Sequence, residues 1–230
     1  MMSINYIKGN IFTSTAEVLV NPVNCVGIMG AGLALEFRLR YPDMFNKYAD
    51  ICERKLLSPG KLWVFNGGDR RILNFPTKID WKAKTEKDFL IQGLLKFVDT
   101  YEEKCISSIA FPLLGADRGG LDKNISLKVM KEFLEPLKID IEIYEYLSTA
   151  HDDLFEDFKD VLLTNRLEDI SLKTGVKINI LERIYVEIKS KPYYQVNQLL
   201  SISGVGVASL EKVFQFYKVD TDRECQRNLF

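Results

Sequence analysis

The chain is poor in histidine, and its cysteines are scattered. A Ser-His-Asp or Cys-His mechanism and a histidine-rich metal centre are not expected, because the single histidine lies far from every motif described below. Since no two cysteines form a CxxC pair and none has a histidine nearby, we expect reduced thiols rather than a disulfide framework or a zinc site. These residues are His151, Cys25, Cys52, Cys105 and Cys225.

Long apolar runs and an excess of one charge are also missing. No stretch approaches the ~20 apolar residues that a membrane span needs, and MMSINYIKGN has no apolar core of signal-peptide length. The net charge is -1, so any contact with nucleic acid needs a local patch. With 47% apolar residues, we expect a globular cytoplasmic protein without membrane contact.

Short β-rich runs alternate with helical runs as far as about residue 147. This alternation predicts an α/β fold with helices on both faces of the sheet. The predicted strands span 16–21, 61–66, 70–76, 107–114 and 139–147, with a hairpin between the second and third. The predicted helices span 32–55, interrupted at Pro42, then 86–104 and 125–137.

The composition changes near residue 150, where the stretch 148–157 is acidic and polar. Beyond it no strand is convincing. We therefore predict two domains, an α/β domain over 1–148 and a small all-helical domain over 149–230.

Two glycine-rich stretches each follow a predicted strand and lead into a predicted helix. NPVNCVGIMGAGLALEF does not match the dinucleotide-binding G-x-G-x-x-G pattern, because its glycines come in the reverse order and NPVNCV separates them from the strand. Backbone N–H groups at a helix start still bind phosphate, and an ordinary tight turn is the alternative. Two such loops at the carboxyl edge of a sheet predict closure on one diphosphate from opposite sides. The glycines are Gly27, Gly30 and Gly32, then Gly115, Gly119 and Gly120.

A third stretch, NFPTKIDWKAKT at 74–85, places lysines in a loop after a strand. Lys78 among other cations loses its proton more readily and acts as a nucleophile, unless the stretch is a solvated basic turn. Trp81 lies between basic residues, which suits stacking on an exposed base while Lys82 and Lys84 hold its backbone. Packing of Trp81 against the domain edge is the alternative.

Together with KGNIF at 8–12, these stretches closely resemble the macrodomain family, in its DNA ADP-ribosyl glycohydrolase antitoxin branch (DarG-like), related to the terminal ADP-ribose protein glycohydrolases. The resemblance covers about residues 1–147. It implies a three-layer α/β/α fold with a mixed sheet, and a hydrolase that removes ADP-ribose from nucleobases in DNA without a cofactor. The implied partners are ADP-ribose, ADP-ribosylated single-stranded DNA and a cognate ADP-ribosyltransferase toxin.

The resemblance also implies roles for individual residues. Asn10 and Ile11 lie by the adenosine, and Lys78 is the catalytic lysine, with Thr77 beside it. The lysine attacks or activates the anomeric carbon of the distal ribose. Residues that flank this ribose are Asn21, Val23 and Asn24. Residues that cradle the diphosphate are Gly27, Met29, Gly30, Gly32, Leu33 and Ala34, then Leu114, Gly115, Ala116, Asp117, Arg118, Gly119 and Gly120.

Two positions differ from other macrodomains. Many have aspartate where this chain has Asn10, and the terminal ADP-ribose glycohydrolases use an aspartate at the position of Gly119. Both differences fit the DNA-directed branch. Asp117 is either a substitute acid or base, or a turn residue. A non-catalytic ADP-ribose-binding module and a glycohydrolase for ADP-ribosylated protein or RNA are the alternative functions.

The helical tail carries two weak DNA-binding patterns. Residues 167–188 have the spacing of a helix-turn-helix around Gly175, and residues 199–214 resemble a helix-hairpin-helix with a Gly-Val-Gly turn. Any corner between two helices favours a glycine at such a position. DNA contact, toxin docking, and docking or dimerisation of another kind therefore remain open for this domain.

Overall fold

The computed structural model describes residues 4–227, with side chains as far as residue 219. The chain forms two compact units, Met1–Leu147 and Ser148–Phe230. Cys25, Cys52 and Cys105 are free thiols. Cys225 lies outside the described side chains.

The first unit is built on a six-stranded mixed sheet in the order β1-β6-β5-β2-β4-β3. All neighbouring strands run parallel except β3, which pairs antiparallel with β4. The predicted α/β class and the 61–76 hairpin are therefore confirmed. The strands are β1 Ile4–Gly9, β2 Val18–Val23, β3 Trp63–Asn66, β4 Arg71–Pro76, β5 Ser108–Pro112 and β6 Asp140–Tyr146.

Helices cover both faces of this sheet, which makes three layers. One core packs Phe75 and Phe111 of the sheet with Phe97 of α3 and with α4, and a second core packs Leu19 with α1 and α2. Pro42 is the first residue of α2, where a missing N–H costs no hydrogen bond, and the predicted interruption is correct. The helices are α1 Gly32–Arg40, α2 Pro42–Glu53, α3 Lys87–Thr100 and α4 Lys123–Leu134.

The parallel strands all end at one edge of the sheet. Three loops leave this edge, which we name by the elements they join: the β2–α1 loop (24–31), the β4–α3 loop (77–86) and the β5–α4 loop (113–122). Both glycine-rich stretches and the lysine stretch therefore meet at the edge where ligands of α/β proteins bind.

The second unit is all-helical over its described residues, as the sequence predicts. Its helices are α5 Phe155–Thr164, α6 Leu167–Thr174, α7 Ile178–Ser190 and α8 Val207–Arg227, with a 3-10 helix at Val196–Ser201. Phe158 of α5 packs on Phe214 and Tyr217 of α8, with ring centroids 5.7 Å away in both pairs. Among the described helices of the chain, none combines the length and the apolar character needed to cross a lipid bilayer.

Candidate functional site

The β2–α1 and β4–α3 loops lie side by side because the pairing of their strands continues beyond the sheet. Thr77 N donates to Val23 O at 2.9 Å, and Cys25 N donates to Ile79 O at 2.9 Å. These two hydrogen bonds enclose Lys78. The lysine is therefore held beside the start of the first glycine-rich stretch.

Asn24 shapes the β2–α1 loop from inside. Its buried side-chain oxygen accepts from Val26 N at 3.0 Å and from Ile28 N at 3.3 Å, and its amide donates to Ile28 O at 2.6 Å. Tyr48 Oη donates to the backbone oxygen of Asn24 at 2.8 Å. The asparagine therefore fixes the loop as a scaffold, and Gly27 supplies the left-handed turn within it with φ +79°.

The start of α1 offers backbone N–H groups to a ligand. Ala31 precedes the helix and has no hydrogen-bonding side chain, so it leaves the N–H groups of the first turn for another acceptor. The Arg118 side chain, from the β5–α4 loop, lies 3.8 Å from the place that a Cβ on Gly32 would occupy. A helix start beside a guanidinium favours an anion.

Thr85 packs into the β5–α4 loop and explains two of its glycines. Its N–H donates to Gly119 O at 2.8 Å. A Cβ on Gly115 would lie 2.6 Å from the Thr85 methyl, and a Cβ on Gly119 would lie 2.7 Å from the Thr85 hydroxyl. Both positions therefore require glycine because this threonine occupies the space. The Thr85 hydroxyl is buried without a hydrogen-bond partner among the described residues.

Lys78 reaches from the β4–α3 loop to the β5–α4 loop. Its Nζ donates to the backbone oxygen of Arg118 at 2.6 Å. Partial burial lowers the pKa of Lys78, because desolvation disfavours the ammonium form. In contrast, burial and the nearby Cys52 raise the pKa of the Cys25 thiol to about 11, so this cysteine is not a thiolate at neutral pH. Of these two side chains, Lys78 is therefore the candidate nucleophile.

Known proteins resemble this chain in sequence and in fold. The family model described as Macro domain matches residues 20–130. The solved macrodomain of Mycobacterium tuberculosis DarG is 37% identical, with a TM-score of 0.61 over 63% of this chain and 99% of that one. The chain belongs to the macrodomain family.

Several relatives of this macrodomain are named for an enzymatic activity. The DNA ADP-ribosyl glycohydrolases of Mycobacterium tuberculosis and Thermus aquaticus are 38% and 36% identical over 61% and 62% of this chain, and over 42% and 41% of their own lengths. The chain therefore spans less than half the length of these relatives. The solved Thermosipho africanus DarTG in complex with ADP-ribose is 32% identical, with a TM-score of 0.60, covering 67% of this chain and 44% of that one.

Several predicted contact residues of the macrodomain have buried side chains. Asn21 is fully buried and donates to Asn74 Oδ1 at 3.0 Å. Asn10 is buried too, and its Oδ1 accepts from Phe12 N at 3.1 Å as the cap of a 3-10 helix. The two asparagine side chains are therefore engaged inside the protein. The others with buried side chains are Ile11, Val23, Asn24, Met29, Thr77, Leu114 and Ala116.

Asp117 lies in the same loop as Arg118 but pairs elsewhere. It has φ +44°, a left-handed conformation, and its carboxylate lies 3.8 Å from Lys123 Nζ. Lys123 also donates to Glu145 at 2.8 Å, and Glu145 accepts from Tyr6. These observations favour the turn-residue role of Asp117 over that of an acid or base acting with Lys78.

The remaining predicted residues lie on the loop surfaces. Trp81, Lys82 and Lys84 are exposed on the β4–α3 loop, and half of the Trp81 surface is open to solvent. Leu33 and Ala34 are half-buried in the first turn of α1. Sequence reasoning assigned no role to Thr85, because its importance depends on glycines that lie some thirty positions away in the chain.

Proposed function

We propose that this macrodomain is a DNA ADP-ribosyl glycohydrolase that removes ADP-ribose from a nucleobase. The observation that carries the proposal is Lys78, whose ammonium contacts the β5–α4 loop and whose pKa is lowered by burial. Relatives named for this activity, 36% to 38% identical, support it, as does a related structure in complex with ADP-ribose.

We propose a position for the ligand along these loops. The diphosphate lies at the start of α1, between the β2–α1 and β5–α4 loops and beside Arg118. The adenosine lies toward Asn10 and Ile11, at the end of β1. The distal ribose then lies near Asn24 and Lys78, where the β2–α1 and β4–α3 loops meet. Support comes from the N–H groups of the first turn of α1 and from the guanidinium against Gly32.

Lys78 supplies the chemistry. As a neutral amine it attacks the anomeric carbon of the distal ribose, and the bond from this carbon to the nucleobase nitrogen breaks. The base leaves with its bonding electrons and takes up a proton, and water then releases ADP-ribose from the lysine. The lowered pKa of Lys78 supports this role, because only the unprotonated amine is a nucleophile.

A toxin partner is part of the proposal. One relative, 32% identical over 62% of this chain, is named a DNA ADP-ribosyl transferase-DNA ADP-ribosyl glycohydrolase fusion protein. We infer that the macrodomain reverses the modification made by a cognate transferase. The helical unit is then a candidate for toxin or DNA contact, and Gly175, with φ +68°, supports the turn between α6 and α7 that the helix-turn-helix pattern predicts.

A cleavage assay on three substrates tests this function. They are single-stranded DNA ADP-ribosylated on thymine, the same DNA modified on guanine, and ADP-ribosylated protein. Release of ADP-ribose from one DNA substrate supports the proposal and identifies the base. Release from protein alone would change the substrate class. Binding of ADP-ribose without its release from any of the three substrates would make the protein a non-catalytic ADP-ribose-binding module.

A further inference from the structure

Large apolar side chains are exposed on the β4–α3 loop, which carries Lys78, and on the neighbouring β2–α1 loop. Val26 and Ile28 of the β2–α1 loop are 44% and 42% exposed, and Ile79 and Trp81 of the β4–α3 loop are 54% and 50% exposed. We call these four residues the apolar rim. Scattered single apolar residues are ordinary on a surface, but a group on adjoining loops indicates an interaction site.

The two halves of the rim are held together by the backbone. The hydrogen bond from Cys25 N to Ile79 O places the residue before Val26 against the β4–α3 loop. The Asn24 side chain binds both N–H and C=O of Ile28 and so fixes the other end of the segment. The rim is therefore built into the loops that position Lys78.

Cations accompany the rim. Lys82 Nζ lies 5.2 Å from the centre of the Trp81 ring, and Lys84 follows two residues later. The nearest acidic residue in the sequence, Asp80, turns its carboxylate back to accept from Lys82 N at 2.8 Å. From Trp81 to Lys84 the β4–α3 loop thus alternates apolar side chains with cations, and the β2–α1 loop has no charged residue.

We propose that the apolar rim binds the unstacked bases that flank the modified nucleotide in single-stranded DNA, while Lys82 and Lys84 contact the phosphates. This inference rests on the proposed function, since it extends the same site. Bases need flat apolar surfaces and phosphates need cations, and one loop offers both. A protein partner would need an acidic group placed opposite Lys82 to offset the desolvation of its ammonium, whereas every nucleotide of a DNA strand supplies a phosphate. In a duplex the bases already stack on each other, so they do not offer their faces to the rim.

Tryptophan fluorescence tests the proposal without relying on catalysis. The chain has two tryptophans, Trp63 and Trp81. In a Lys78→Ala background, we would titrate ADP-ribosylated single-stranded oligonucleotide, free ADP-ribose, and unmodified duplex DNA. We expect the modified single strand to quench the tryptophan fluorescence more than free ADP-ribose does. This additional quenching should disappear in the Trp81→Phe variant. Equal quenching by the single strand and by ADP-ribose would overturn the proposal.

Binding constants of rim variants provide the second arm. Trp81→Ala and Ile79→Ser are each expected to weaken binding of the modified oligonucleotide about tenfold, and to leave the Kd of free ADP-ribose within about twofold. Leu95→Ser is the control, because Leu95 of α3 is 47% exposed outside these loops. Unchanged affinity for the oligonucleotide, or an equal loss of affinity for the oligonucleotide and for ADP-ribose, would contradict the proposed role of the rim.

The two proposals fail in different ways. If the unmutated chain cleaves no DNA substrate but the rim variants still lose affinity for the oligonucleotide, the hydrolase assignment is wrong and the proposed role of the rim is supported. If the chain cleaves modified DNA and the rim variants bind it as tightly as the parent, the rim is wrong and the hydrolase stands.

Discussion

At the scale of single residues, the lysine carries the proposed activity because of where its ammonium lies. Lys78 is half-buried, and its Nζ touches the backbone of a loop forty residues away in the chain. Without that contact the side chain would be one more surface lysine. The sequence offers Lys78 as a candidate nucleophile, and the fold distinguishes it from the exposed Lys82 and Lys84 by its partial burial and its contact with Arg118.

A pH profile is the first prediction at this scale. Burial disfavours the protonated form of Lys78 and lowers its pKa, so the neutral amine becomes abundant at a lower pH than in a free lysine. The rate of ADP-ribose release under substrate saturation is expected to rise with pH and to level off below the ordinary lysine pKa of about 10.4. Lys78→Arg should remain inactive at every pH. A rate that falls as pH rises would exclude an amine nucleophile.

Thr85 gives the second prediction. Its buried hydroxyl has no partner among the described residues, whereas its methyl packs against Gly115. Thr85→Val keeps the shape and removes the unpaired hydroxyl, so the free energy of unfolding is expected to rise by about 1 kcal/mol. Thr85→Ser keeps the hydroxyl and loses the methyl, and should lower it by about 1 kcal/mol. Urea denaturation measures the free energy of unfolding of both variants. A Thr85→Val variant less stable than the parent would show that the Thr85 hydroxyl does make a hydrogen bond.

At the scale of elements, the helices and five of the six strands follow from their patterns, and the edge strand β1 does not. Periodic apolar residues identify α3 and α4, and the turn residues between β3 and β4 identify the hairpin. We did not predict β1, because INYIKG mixes polar and apolar residues without clear alternation. This strand forms by pairing with β6, more than 130 positions later. Such long-range pairing is not encoded in a local pattern.

The packing of α3 on the sheet gives the third prediction. Gly93 lies where a Cβ would overlap the Phe75 ring, so the helix approaches β4 closely. Gly93→Ala is expected to lower the free energy of unfolding by about 1–3 kcal/mol, as overpacked cores do. Gly9→Ala is the control, because its Cβ would meet only ordinary contacts of 3.7 Å or more. Equal stability of the two variants would show that α3 moves aside freely.

At the scale of the whole molecule, the proposed ADP-ribose site belongs to one of two compact units. All of its residues lie in Met1–Leu147, and solved macrodomains are covered almost completely by this part of the chain. The sequence places a composition change near the same point. It does not identify the partner of the helical unit, because a corner between two helices serves DNA, protein and self-association equally.

Separate expression gives the fourth prediction. Residues 1–147 alone are expected to bind ADP-ribose with the Kd of the full chain, within about twofold, since every proposed contact comes from this unit. Residues 148–230 should not bind it. Isothermal titration calorimetry on the three proteins measures this. A large loss of affinity in the isolated unit would show that the helical unit contributes to the site.

The most direct test of the central claim compares the full chain with Lys78→Ala on ADP-ribosylated single-stranded DNA. Release of ADP-ribose and its binding are measured on the same preparations. We predict that the lysine variant binds ADP-ribose within a few-fold of the parent and releases it at least about 1000-fold more slowly, the loss expected when an essential group of the reaction is removed. Release at the parental rate by Lys78→Ala would contradict the account, because another group would then carry the chemistry.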